Sequence, residues 1–124
     1  MAYDIFLQGF ADGEASGAGG GAVREVLRPY LRPTAEEPER LVIAPDSGAD
    51  IYLSSDSLMV NHAEGLAVFD LLVDAARAGC WTIMPVGLPA AVANVDLLAH
   101  LPEGLDEGAV VVGSGADLLR LIES

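Results

Sequence analysis

The sequence predicts one domain of the α+β or α/β class: a mixed sheet of about five or six strands with three or four helices packed on it. Three observations carry that expectation. Stretches of helical period alternate with short apolar runs of strand character along the chain. The longest uninterrupted order signal, Gly65 to Gly87, is itself a helix followed directly by a strand. Finally, 124 residues, 52% of them hydrophobic, suffice to bury a core without disulfides or metal.

Tyr3 to Phe10 reads as the first strand, with Tyr3, Ile5 and Leu7 on one face and Phe6 and Gln8 on the other. Ala11 to Gly21 is rich in glycine and reads as a flexible linker. It lacks the lysine and hydroxyl of a P-loop, and Asp12 and Glu14 would repel a phosphate. Val23, Val26, Leu27 and Tyr30 recur at helical spacing, and Pro29 is expected to end or kink that helix. Arg32 to Arg40 reads as a polar loop. Leu41 to Ala44 and Ala49 to Leu53 read as strands joined by Pro45-Asp46-Ser47-Gly48, which is good turn chemistry. Asp50 and Tyr52 alternate with Ala49, Ile51 and Leu53, so one face of that strand is expected to be wet. After a turn over Ser54 to Ser57, Leu58 to His62 leads into the central helix.

In that helix Leu66, Phe69, Val73 and Ala76 form the inward stripe, and Asp70, Asp74 and Arg77 the outer face. Gly79 is expected to stop it by taking the left-handed conformation. Cys80 reads as a small buried hydrophobe. Trp81 to Val86 follows as a strand apolar on both alternating faces, which suits a central, covered position. Pro89 is expected to open a third helix continued by Val92, Val95 and Leu98, with Asn94 a rival cap. Ala109 to Val112 is a short strand, expected to lie parallel and close to Trp81–Val86 through the helical crossover. Ala116 to Ile122 is the last helix, capped by Ser114 with Asp117 in capping-box position.

Charge narrows the function. Nineteen acids face six arginines, lysine is absent, and the net charge is −13. The excess is spread along the chain: ten acids and four arginines in residues 1–62, nine and two in residues 63–124. Such a surface repels phosphates, which argues against nucleic acid and anionic membrane and favours a basic protein partner. No apolar run reaches the ~18 residues of a bilayer span. The opening MAYDIFLQGF carries no basic leader, and a lone cysteine cannot form an internal disulfide, so a cytoplasmic location is expected.

Two stretches hold residues that carry chemistry in other proteins. Val110 to Asp117, VVVGSGAD, opens like a dinucleotide-binding turn. The third glycine and the ribose-binding acid are absent, however, and a helix cap accounts for the same residues. Asn61-His62-Ala63-Glu64 is sharper, because His-x-Glu is half of the zinc nucleobase-deaminase signature. The order helix–strand–strand–helix–strand–helix–strand–helix from Val23 onward is similar to that fold, with Pro89 at the place of the family's Pro-Cys-x-x-Cys. The resemblance implies His62 as the metal-holding residue and Glu64 as the proton shuttle. The thiolate positions are Ala90 and Ala93, so no zinc site is expected and no cofactor is assigned. His62 and Glu64 therefore stand as candidate catalytic residues of a metal-free cleft at the head of the central helix. Otherwise they are a half-buried histidine at a strand end and an acid favoured at a helix N-terminus. His100 has no partner at metal spacing, and no G-x-S-x-G elbow surrounds Ser114.

A second resemblance runs along the whole chain. The segment YDIFLQ, then Phe10, Gly13 and Glu14, a middle helix and the W-x-I-x-P-V-G strand at Trp81 to Gly87 look like a family of small, acidic, uncharacterised actinobacterial proteins. It implies bacterial kinship and no particular activity.

The preferred reading is a non-enzymatic acidic interaction protein, of inhibitor or immunity type, that binds a basic partner. The alternative is a small-molecule enzyme or binder with a deaminase-like cleft at His62 and Glu64. A third is a homodimer formed through an apolar sheet face.

Overall fold

Alternating apolar residues in four long strands set the frame of the molecule. The computed structural model describes residues 4–32, 39–54 and 56–123. Its strands are β1 (Ile5–Ala11), β2 (Glu14–Ala15), β3 (Leu31–Arg32), β4 (Glu39–Ala44), β5 (Ser47–Leu53), β6 (Ser57–Glu64), β7 (Trp81–Pro85), β8 (Ala91–Val92) and β9 (Val110–Val111). The helices are α1 (Gly20–Leu27), α2 (Leu66–Gly79) and α3 (Gly115–Glu123), with short 3-10 turns at Arg28–Tyr30 and Val95–His100. The strands lie in the order β3-β4-β5-β6-β1-β7-β8-β9, with β2 paired to the far end of β1. Every described pairing is antiparallel except that of β8 with β9. The mixed α/β domain is thus as expected, but nine strands stand among the described residues instead of five or six. The surplus comes from β2, β3 and β8, two residues each, too short to show any period in sequence, while β9 is the expected strand Ala109 to Val112 cut to two residues.

One face of the sheet carries Ile5, Leu7, Leu41, Ala49, Ile51, Leu58, Val60 and Ile83, all buried. They share a single core with Val23 and Leu27 of α1, the broad buried face of α2, and Leu118 and Ile122 of α3. α2 is held between α1 and α3, so its buried face is wider than the expected stripe and includes Val68, Leu71, Leu72 and Ala75. Leu66, expected to point inward, is half exposed. Asp70 and Asp74 stay on the outside, and Asp70 Oδ1 accepts the Gly115 N–H at 2.7 Å, tying α2 to the start of α3. Ser114 caps α3 as expected, its Oγ 3.3 Å from the Asp117 N–H. Pro29 lies in the 3-10 turn where α1 gives way.

The end of α2 corrects two expectations. The helix does stop at Gly79, but Cys80 takes the left-handed conformation, at φ 56° and ψ 42°, and its N–H closes onto Ala76 and Arg77 carbonyls. Gly79 stays helical because its missing side chain serves the α1–α2 contact. Cys80 is exposed rather than buried.

The segment after β7 departs further. No helix begins at Pro89; the rival start holds, with Asn94 at the N-cap of the 3-10 turn Val95–His100. The chain runs extended into β8, where Ala91 and Val92 are fully buried and pair with Ile83 and Thr82. Sheet pairing on that edge outweighs the local helix signal. β9 is parallel to β8, with the Val110 and Val112 N–H groups on the Ala90 and Val92 carbonyls. It is therefore separated from β7 by one strand and antiparallel to it, not its parallel neighbour. Val92, Leu97 and Leu101 form a second small cluster with Phe10, covering the β7–β8 end of the outer sheet face.

The glycine-rich stretch 11–21, read as a linker, holds β2 and the first residues of α1. Gly13 N–H donates to the His100 carbonyl at 2.9 Å, and Trp81 Nε1 donates to the Ala18 carbonyl at 2.8 Å. Tyr3, residues 33–38 of the polar loop, and Ser55 lie outside the described residues.

Candidate functional site

His62 and Glu64 sit on the last turn of strand β6, not at the head of a helix; Gly65 separates them from α2. Between the pairs Gly48–Glu64 and Asp50–Asn61, β6 runs one residue longer than β5. This β-bulge places His62 at φ 54°, a left-handed conformation that non-glycine residues rarely adopt. The bulge turns the imidazole onto the outer sheet face, where its side chain is 66% exposed. It is not the half-buried histidine that a strand end suggests.

Four side chains meet there in a chain. His62 Nδ1 lies 2.9 Å from Asp50 Oδ2. Arg40 Nη1 donates to Asp50 Oδ1 at 3.2 Å, and Arg40 Nη2 lies 3.6 Å from Glu64 Oε1. Beside His62 on β6, Asn61 Nδ2 donates to Oδ1 of Asp4, the residue before β1, at 2.8 Å. Arg40 and Asp50 are directly opposite on β4 and β5, the position where an opposite-charge pair contributes most. The Asp50 carboxyl is held below the ordinary carboxylate range, first by the hydrogen bond from His62 and then by Arg40, with partial burial opposing both.

The sign follows from that depression. Asp50 stabilises the fold fully above the ordinary carboxylate range, and this contribution is lost as pH falls through its lowered value. Asp50→Asn is therefore expected to be less stable than the parent chain near neutrality. The difference should vanish in strong acid, as urea titrations at the two pH extremes would read. A constant difference would place the cost elsewhere than in the ionised carboxylate.

Glu64 faces a second feature. A cavity of about 240 Å³ opens where α2 begins and α3 ends, walled by Ile5, Phe69, Leu119 and Ile122. Glu64 and Glu123, both exposed, stand at its mouth. His62 is not among its lining residues. The two candidate residues are thus joined through Asp50 and Arg40, with the imidazole on the outer face and Glu64 alone of the two lining the cavity.

No group of three metal-ligating side chains occurs among the described residues. Of the two thiolate positions, Ala90 is buried and Ala93 partly buried on the far side of β7, and His100 Nδ1 accepts the Asp12 N–H at 3.2 Å at the β1–β2 tip.

The outer face of the sheet holds the feature that the sequence reading missed. Register brings Tyr52, Met59, Phe6 and Met84 side by side on β5, β6, β1 and β7. Phe6 is 37% exposed, and the other three are partly exposed. At strand spacing this apolar row runs about 14 Å across the sheet. Asp4, Asn61 and Asp50 border it on one side and Gln8 on the other, with the Gln8 amide on the Asp56 carbonyl at 2.8 Å. The signal was present in sequence as Phe6, Met59 and Met84 standing at positions that alternation assigns to the wet face.

Comparison with protein-family models, curated proteins and solved structures finds no match for the chain. Function is read from these residues alone.

Proposed function

We propose that this chain is an acidic interaction protein that docks a basic protein onto its outer sheet face. The carrying observation is the Tyr52–Met59–Phe6–Met84 row, left open on a sheet whose opposite face is covered by three helices. Methionine and aromatic side chains adapt to a partner surface and supply most of the energy at interface centres. The net charge of −13 selects the partner's sign. Two copies of so acidic a chain repel each other, which weighs against the homodimer, whereas a basic face is attracted and its encounter accelerated. Cytoplasmic action as an inhibitor or immunity-type partner suits this charge and the lone cysteine.

The expected result is a basic protein retained from host lysate at low salt and released at high salt, because the Debye length shrinks from ~10 Å at 0.1 M to ~3 Å at 1 M. Phe6→Ser should weaken that binding by more than about tenfold without changing net charge. A clean lane at low salt, or retention indifferent to both salt and Phe6→Ser, would sink this reading. Sedimentation of the free chain as a dimer that Phe6→Ser dissociates would favour self-association instead.

The second reading, a small-molecule enzyme or binder, draws on the cavity beside Glu64 and the His62–Asp50 pair. It requires that His62→Ala and Glu64→Ala remove an activity with the melting temperature nearly unchanged.

A further inference from the structure

We propose that the cavity between α2 and α3 is a binding site for a small organic cation, an alkylammonium whose carbon body fills it and whose charge meets Glu64 and Glu123. This goes beyond the partner-binding surface, which lies on the other side of the sheet.

Size and lining come first. At about 240 Å³ the cavity is smaller than the ~300–1,000 Å³ of typical drug-sized sites, so it suits one short branched alkyl chain and not a nucleotide. Ile5, Phe69 and Ile122 in its wall are almost wholly buried and present only carbon, so hydrocarbon transferred there from water is stabilised.

Charge then selects the head group. Among the described residues, Glu64 and Glu123 are the only ionisable ones in the lining. The first residues of α2 also line the cavity and bring a partial positive charge of roughly +0.5. The last residues of α3 bring roughly −0.5, so the two helix ends cancel to first order. Arg40 pairs with Glu64 at 3.6 Å but is shared with Asp50, so those two carboxylates keep one net negative charge beside that of Glu123; Arg120 is taken up by Asp117 at 3.3 Å. An anion would enter against both carboxylates, and a neutral chain would leave them unused. An ammonium at the mouth uses both while its alkyl body stays dry.

The test titrates the full chain with isopentylamine, isopentanol and isovalerate, which share one carbon skeleton. Methyl NMR of Ala63, Leu119 and Ile122 reads occupancy. The amine is expected to shift these methyls with a Kd of about 1 mM, at least tenfold tighter than the alcohol, and isovalerate should not bind. Glu64→Gln and Glu123→Gln should each weaken the amine by about threefold, a change sized for exposed ion pairs. Equal binding of amine and alcohol, preference for isovalerate, or no methyl shift with any probe would overturn the proposal. So would shifts produced by a lysine-bearing peptide but not by the free amine, which would assign the cavity to a protein side chain. The three wild-type titrations decide the matter even if a glutamine variant folds poorly. Phe6→Ser should leave amine binding unchanged, so failure here and failure of the partner reading are separable.

Discussion

Gly79→Ala is expected to destabilise the fold by about 3 kcal/mol, while the same substitution at Gly21 stabilises it slightly. A Cβ on Gly79 would fall inside van der Waals contact of Val23 Cγ2 and 2.7 Å from the Gly19 carbonyl oxygen. Val23 is fully buried in α1 and cannot turn away. Gly19, at φ 88°, is fixed in a left-handed conformation against the Gly79 backbone itself. Relief therefore requires α1 to move off α2, which opens the largest helix–helix contact in the core. Overpacking of this kind costs ~1–3 kcal/mol and more when backbone must shift, and it exceeds the ~0.5–1 kcal/mol that alanine gains over glycine inside a helix. Gly21, on α1, has nothing within 4 Å of its Cβ position, so only that gain applies. Thermal and urea unfolding of the two variants should move in opposite directions, Gly79→Ala by roughly 10 °C or more downward. If both shifted alike, the two helices would not meet through these glycines.

The same glycine shows which parts of the fold were legible in sequence. A glycine after an apolar helical run reads locally as a stop, and the stop is where it was expected. Its actual duty is a tertiary contact with Gly19, sixty residues away in the chain, which no local pattern encodes. β1, β5, β6, α2 and β7 were readable because each is long enough to show period 2 or 3.6. β8 was not. Its two residues are claimed by the pairing of β7 with β8 and of β8 with β9, and a proline two positions earlier suggested a helix instead. The candidate site divides in the same way. His62 and Glu64 drew notice as a His-x-Glu pair, but their partners Asp50 and Arg40 depend on strand register. One hint existed: Asp50 alternates with Ala49 and Ile51, which puts it on the wet face where a cross-strand network can form. The bulge that turns His62 outward left no comparable trace, because nothing in Asn61-His62-Ala63 requires an extra residue.

Ser47→Ala is expected to cost about 2–4 kcal/mol, far more than a turn serine would. Sequence placed Ser47 in the Pro45-Asp46-Ser47-Gly48 turn, but the turn itself is only Pro45-Asp46 and Ser47 opens β5. Its side chain is buried, with Oγ donating to the Glu64 carbonyl at 3.0 Å and accepting the Val68 N–H at 2.9 Å. Gly65, the residue before α2, has no side chain to cap that helix. Ser47 therefore caps α2 from another strand and pins the end of β6 in the same bond pair. Alanine would leave the buried Val68 N–H and the part-buried Glu64 carbonyl without this partner, at ~1–3 kcal/mol each. Hydrogen exchange should report the loss first at the Val68 amide, ahead of the α2 interior, since a frayed first turn opens without global unfolding. The same loosening frees the Glu64 backbone, so amine binding at the cavity should weaken together with protection at Val68. Loss of stability spread evenly over all amides would mean that Ser47 supports the core generally and does not hold this helix start.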